Sequence, residues 1–138
     1  DDLVEPISRL VTNSVSCTAS FTQRAAIEAT EGPQKDSILM VEEFKKRRSI
    51  VVDGLNKIDG ITCALPKGAF YAFPNVEGTG MTSSEFANRV LEEAGVAVLA
   101  GESFGEHGTG YIRISFANST ENLTQAIDRI RNFVESKT

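Results

Sequence analysis

A run of strict alternation, Tyr111-Ile112-Arg113-Ile114-Ser115-Phe116, lies near the end of this 138-residue chain. Successive side chains of a β-strand point to opposite faces of the sheet. We therefore expect the two isoleucines and Phe116 on one face and Arg113 on the other. The sequence predicts a strand that buries its apolar face and presents one guanidinium on the opposite face.

Segments with the apolar spacing of helices lie before and after this strand. Immediately after it, Ser119 is a suitable N-cap for an amphipathic helix. Further back, Thr82 and Glu85 have the spacing of a capping box, as do Ser20 and Gln23. Elsewhere in the chain, apolar residues recur at intervals of 3, 4 or 7 positions, as they do on one face of a helix. The sequence predicts helices near residues 3–11, over Ser20–Ala29, over 34–58, after Thr82, and after Ser119.

Between the long helix and the last one, the apolar period changes from 3.6 to 2 after Gly60. Ile61–Leu65 and Ala69–Phe73 are predicted to form a hairpin in which Gly68 takes a positive φ. Two more strands are predicted over Val96–Leu99 and Tyr111–Ala117. Four short strands and four or five helices without βαβ alternation predict an α+β fold, with a small, largely antiparallel sheet packed against helices.

Charge and composition exclude several classes of protein. Lys and Arg number 14 against 19 Asp and Glu, a net charge of -5, so a nonspecific nucleic-acid partner is not expected. No stretch approaches the ~20 apolar residues of a membrane span, so no membrane partner is expected either. The first residues lack the pattern of a signal peptide. Cys17 and Cys63 are read as reduced thiols, Cys63 in the core, and the predicted location is cytoplasmic.

The single histidine, His107, lies in a glycine-rich loop from Gly101 to Gly110. A histidine-based metal site or a Ser-His-Asp triad would rest on this residue alone, so neither is predicted. The loop is also not a phosphate cradle, because a strand rather than a helix follows its glycines. We expect a flexible loop that lines a cleft.

Arg113 is the candidate binding residue, and its position allows two interpretations. A mid-strand arginine most often lies on a solvent-exposed face. Alternatively it faces a ligand, and its planar fork can donate two parallel hydrogen bonds to a carboxylate. The alternating pattern alone does not choose between them.

Six short motifs in order resemble one enzyme family, the aspartate aminotransferase-like enzymes. These are class I/II aminotransferases of the fold type I pyridoxal-phosphate group, and the similarity is to their C-terminal part. The motifs are Val15–Ala26, Phe44-Lys45-Lys46-Arg47-Arg48, Pro66-Lys67-Gly68-Ala69-Phe70-Tyr71, Glu93-Ala94-Gly95-Val96-Ala97-Val98, Gly101–Gly105, and Tyr111-Ile112-Arg113-Ile114-Ser115-Phe116-Ala117.

The resemblance implies a domain organisation and one site residue. Residues 1–14 correspond to the end of the interdomain helix and its linker, and residues 15–138 to the small, C-terminal domain. Arg113 matches the arginine that binds the substrate α-carboxylate. The Gly68–Tyr71 turn resembles the family segment near the cleft, and the Gly101–Gly105 loop resembles a loop at the mouth of that cleft. The polar run from Asn13 to Ser16 resembles the return from the interdomain helix.

The resemblance also implies what this chain does not supply. In the family a lysine in a Ser-Lys segment holds pyridoxal 5'-phosphate, and none of the six lysines here has that context. No catalytic residue, cofactor-binding residue or metal ligand is therefore assigned. We expect a fragment that is inactive and free of cofactor alone. In the full-length enzyme, a homodimer, it would act with a large pyridoxal-phosphate domain on amino acids and 2-oxo acids, and aspartate is the amino acid that the resemblance suggests.

Two alternatives remain at this point. The chain could be a stand-alone, non-catalytic α+β module that binds a small ligand or regulates a partner through the same arginine. It could also be the small domain of another fold type I enzyme, a lyase or a synthase.

Overall fold

The structure is a computed structural model that describes residues 2–137. Five α-helices and three short strands make up its regular elements, together with three short 3-10 turns. The helices are α1 Val4–Ser14, α2 Ser20–Glu31, α3 Lys35–Leu55, α4 Ser83–Ala94 and α5 Thr120–Glu135. The strands are β1 Tyr71–Ala72, β2 Leu99–Ala100 and β3 Ile112–Ser115, and the 3-10 turns are Glu77–Thr79, Gly101–Phe104 and Glu106–Gly108.

The chain divides into two compact units, one ending at Ile38 and the other beginning at Leu39. The first unit contains α1 and α2, and neither helix has a buried residue. Large apolar side chains of this unit are exposed, among them Leu3 (71%), Leu10 (70%) and Phe21 (78%). Apolar surface of this extent is typical of a segment that contacts another protein surface.

In the second unit, β3 is the central strand of an antiparallel sheet with the order β1-β3-β2. On one side Tyr71 pairs with Ser115, and on the other Leu99 pairs with Arg113. The alternation predicted for β3 is confirmed, since Ile112 and Phe116 are almost completely buried. The predicted α+β class, a small antiparallel sheet with helices, is confirmed.

Three helices cover the apolar face of this sheet. The second half of α3 contributes Val51, Val52 and Leu55, and α4 contributes Phe86 and Val90. The helix predicted after Ser119 is amphipathic, as expected, and α5 contributes Leu123, Ile127, Ile130 and Val134, all buried. The core is therefore made almost entirely by residues of the second unit, and the sheet face that carries Arg113 lies opposite it.

Two of the three predicted helix N-caps are present in the structure, and the third is not. Thr82 Oγ1 accepts a hydrogen bond from the Glu85 amide, and Ser119 Oγ accepts one from the Asn122 amide, so both predicted N-caps are confirmed. The predicted Ser20 cap is wrong. The N-cap of α2 is Ala19, and Gln23 instead donates from its side chain to the Thr18 carbonyl.

The predicted hairpin between Ile61 and Phe73 is wrong. The amide side chain of Asn56 donates to the Cys63 carbonyl and accepts from the Cys63 amide, which ties this segment to the turn after α3. In place of a hairpin, the segment forms an isolated bridge between Thr62 and Asn75. The positive φ of 57° falls on Ala69 rather than on Gly68. Three strands are therefore present in the described residues, rather than four.

Element ends also differ from the predicted ones. The long helix ends at Leu55 rather than at residue 58. The strand predicted over Val96–Leu99 begins only at Leu99, because the Val96 amide still closes the end of α4 by donating to the Val90 carbonyl. Gly95 takes the left-handed conformation of a helix C-cap there, as expected.

The two thiols will differ in reactivity. Cys17 is exposed and Cys63 is buried, and burial raises the pKa of the Cys63 thiol. Since the thiolate is the nucleophile, a thiol reagent at pH 8 should modify Cys17 in the native chain and leave Cys63 largely unmodified. Mass spectrometry of the labelled chain measures this. Cys17→Ser should remove the fast-reacting thiol, and urea should expose Cys63. Equal labelling rates in the native chain would contradict the buried position of Cys63.

Candidate functional site

Arg113 lies in the middle of the central strand, on the face opposite the helices. Its pairing partner is Leu99 on β2, and Tyr71 on β1 pairs with the next residue on the same face, Ser115. The side chain of Arg113 is half-buried. Because β3 is held by a strand on each side, the Cα position of Arg113 is fixed by the backbone ladder.

Two aromatic rings enclose the Arg113 guanidinium. Its Cζ atom lies 4.4 Å from the ring centroid of Tyr71 and 4.1 Å from that of Phe104. Phe73 extends this cluster, packing edge-on to Phe104 at 6.1 Å and stacking on Tyr111 at 5.5 Å. The attraction of a cation to the faces of two rings restricts where the guanidinium can lie.

The hydrogen-bond donors of this guanidinium are available. The contacts recorded for it within residues 2–137 are with the two rings, and none is with a carboxylate or a carbonyl oxygen. Beside it lies a shallow depression of about 200 Å³, lined by Tyr71, Ala97, Val98, Leu99, Arg113 and Ser115. A half-buried arginine with free N–H groups at the edge of a depression is suited to a planar anion such as a carboxylate.

The loop that carries Phe104 is fastened at its base. Gly101 donates its amide to the Tyr111 carbonyl at 2.8 Å, and Tyr111 donates to the Gly108 carbonyl at 3.0 Å. Gly101 and Gly108 lie so close that a Cβ on either would overlap the backbone of the other. The buried hydroxyl of Ser83 accepts a hydrogen bond from the Gly110 amide at 2.8 Å. These contacts hold the loop over Arg113.

The other residues considered from the sequence lie elsewhere. His107 is fully exposed at the loop tip, where Nε2 lies 3.6 Å from Glu106 Oε1. The polar run from Asn13 to Ser16 belongs to the first unit. The Gly68–Tyr71 segment reaches the Arg113 site through Tyr71. Within residues 2–137, no group of three or more His, Cys, Asp or Glu side chains could hold a metal ion, and no helix has the length and apolar character that crossing a bilayer requires.

Sequence reasoning found Arg113 but missed Tyr71 and Phe104 as its neighbours. Tyr71 reaches Arg113 through the β1–β3 register, and Phe104 reaches it through the fold of the loop. The glycines around Phe104 indicated a flexible loop, and nothing local indicated where its aromatic ring would point.

Comparison with known proteins identifies the family. The profile described as "Aminotransferase class I and II" matches residues 2–130. The chain belongs to this aminotransferase family.

Curated relatives and solved structures agree with this assignment. The chain is 41% identical to the probable N-acetyl-LL-diaminopimelate aminotransferase of Bacillus subtilis, covering 99% of this chain and 34% of that protein. It is 43% identical to the aspartate aminotransferase of Pyrococcus horikoshii, covering 98% and 35%. The crystal structure of the aspartate aminotransferase from Rhizobium meliloti superimposes with a TM-score of 0.90 at 35% identity, covering 97% and 36%.

These aminotransferases differ in the substrate that their names give. An aromatic aminotransferase from Pyrococcus horikoshii superimposes as well as the aspartate enzyme, with a TM-score of 0.91 at 36% identity, covering 96% of this chain and 36% of that one. The chain spans about a third of the length of the aminotransferases it matches.

Proposed function

We propose that this chain is the small, C-terminal domain of a pyridoxal-phosphate-dependent aminotransferase, and that Arg113 binds the α-carboxylate of the substrate. The observation that carries this proposal is the Arg113 guanidinium, held between Tyr71 and Phe104 with its N–H groups free of protein partners. Amino acids and 2-oxo acids, the two substrate classes of amino transfer, share a carboxylate next to the reacting carbon. A single arginine can therefore bind both.

Binding at Arg113 would orient the substrate. Two parallel N–H···O bonds fix both oxygens of a carboxylate, so the adjacent carbon can turn only about one bond. Restricting this carbon to one rotation limits the directions that its C–H bond can take, which lowers the entropic cost of aligning that bond for proton removal. Tyr71 and Leu99 line the same depression and exclude water from one side of the bound group.

The domain assignment rests on chain length and on exposed surface. The chain covers about a third of its relatives, which leaves room for a large domain in the whole enzyme. The apolar side chains exposed on α1 are those expected where a helix contacts such a domain. We assign residues 1–14 to the end of the interdomain helix with its linker, and residues 15–138 to the small domain. The homodimer and the cytoplasmic location are part of this proposal and rest on the family resemblance.

The residues described here do not form a pyridoxal 5'-phosphate site by themselves. All six lysines are exposed, and no lysine lines the depression beside Arg113. Lys45, Lys46 and Lys137 pair with glutamates. When bound in the full-length enzyme, the cofactor supplies the electron sink for removal of the α-proton, and its lysine would come from outside this chain.

The proposal predicts a longer native polypeptide with transaminase activity. In cells of the source organism, an antibody against this chain should detect a protein about three times as long as the chain. That protein, purified, should transfer an amino group from an amino acid to a 2-oxo acid when pyridoxal 5'-phosphate is present. The 138-residue chain alone should show no transfer and no retained cofactor after gel filtration.

The same experiment distinguishes the two alternative functions from the proposed one. A native protein no longer than this chain would favour the stand-alone binding module and overturn the proposal. A long protein that binds the cofactor and eliminates or decarboxylates its substrate, without amino transfer, would identify a lyase or a synthase of the same fold type.

A further inference from the structure

Phe104 is an aromatic side chain that the core does not explain. It is 47% exposed, yet its ring lies closer to the Arg113 Cζ atom, at 4.1 Å, than any other ring. Its remaining aromatic contact is with Phe73 at 6.1 Å. Phe104 does not belong to the buried core, so its position over the guanidinium is the contact that needs an explanation.

The structure assigns Phe104 as a positioning residue for the Arg113 guanidinium, an inference that rests on the carboxylate-binding role proposed above. A free arginine side chain has many rotamers, and ordering them costs free energy whenever a ligand is bound. A ring over the guanidinium removes that freedom before the ligand arrives. The N–H groups at the edge are then presented in the orientation that a carboxylate requires.

The two rings around Arg113 differ in how they are held. Tyr71 belongs to β1, whose backbone pairs directly with β3. Phe104 ends a 3-10 turn that is held by the Gly101–Gly108 backbone contact and by the hydrogen bond between Gly110 and Ser83. Tyr71 therefore contacts Arg113 from a strand that is paired with β3, whereas Phe104 contacts it from a loop.

An NMR measurement on the 138-residue chain tests the geometry without any ligand. The Nε–H resonance of Arg113, assigned by its loss in Arg113→Lys, should be shifted upfield by the ring currents of Tyr71 and Phe104. Phe104→Leu should move this resonance towards the position of an exposed arginine, and Phe104→Tyr should preserve it. An unchanged resonance in Phe104→Leu would overturn the inference.

Steady-state kinetics of the full-length enzyme test the consequence for binding. Phe104→Leu should raise the KM for the amino acid and for the 2-oxo acid roughly 10-fold, which corresponds to about 1.4 kcal/mol, with kcat changed less than twofold. Phe104→Tyr should restore the KM. Phe133→Leu is the matched control, because that ring lies over the Arg89 guanidinium at 5.5 Å and packs edge-on to Phe86 among the helices. It should leave KM unchanged.

The outcomes separate this inference from the proposed function. If Arg113→Ala leaves the KM unchanged, the carboxylate role itself is wrong. If Arg113→Ala raises the KM but Phe104→Leu does not, the role of Arg113 stands and the positioning role of Phe104 is wrong. An equal rise of the KM in Phe133→Leu would show a general structural effect and would also overturn it.

Discussion

Arg113→Ala in the full-length enzyme will raise the KM for the amino acid and for the 2-oxo acid by at least about 100-fold. Hydrogen bonds to charged groups contribute about 1.5–3 kcal/mol each, and every 1.4 kcal/mol is a factor of ten in binding. Loss of two such bonds to a carboxylate therefore gives at least a 100-fold change. Steady-state kinetics with each substrate varied in turn measures it.

Arg113→Lys tests whether carboxylate binding needs only a positive charge or also the planar geometry of the guanidinium. Lysine keeps the positive charge but has no planar fork, so we expect a KM between those of the wild type and Arg113→Ala. Arg131→Ala is the matched control, because Arg131 forms a helix-surface ion pair with Asp128 at 2.7 Å. It should leave both KM values unchanged. If the KM of Arg113→Ala equals that of the wild type for both substrates, the carboxylate-binding role is contradicted.

The parts of the fold that could be predicted are those specified by neighbours in sequence. The alternation of β3 placed Arg113 and Ile112 on opposite faces because side chains of a strand alternate whatever the strand pairs with. The caps at Thr82 and Ser119 were found because a cap bonds an amide only three residues away. Such short-range rules fixed the class of the fold and the face on which the candidate residue lies.

The parts that could not be predicted depend on pairing between distant segments. The hairpin was expected because Ile61–Leu65 and Ala69–Phe73 both have strand-like composition. The side chain of Asn56 instead binds the backbone of Cys63, and β1 pairs with β3. The two aromatic contacts of Arg113 could not be predicted for the same reason, since they depend on the β1–β3 register and on the fold of the Phe104 loop. The candidate binding residue was thus visible in the sequence, and its surroundings were not.

Phe86→Ala will lower the free energy of unfolding by about 3–5 kcal/mol, the cost typical of truncating a buried aromatic side chain. Phe86 is completely buried, and its ring packs edge-on to Phe133 at 5.8 Å, joining α4 to α5 beneath the sheet. The chain has no Trp, and its two Tyr residues, Tyr71 and Tyr111, both lie in the second unit. Urea unfolding followed by tyrosine fluorescence therefore reports on the unit that contains Phe86.

Leu91→Ala on the same helix is the control for this substitution. Leu91 is 53% exposed, so its truncation leaves no cavity and should change the free energy of unfolding by no more than about 0.5 kcal/mol. A small loss in Phe86→Ala, no larger than in Leu91→Ala, would mean that α4 and α5 do not form the core of this unit. The loss expected for Phe86→Ala is comparable to the whole stability of many domains, about 5–15 kcal/mol. Because β3 packs on that core through Ile112 and Phe116, the upfield Nε–H resonance of Arg113 should disappear at the same urea concentration as the tyrosine signal changes.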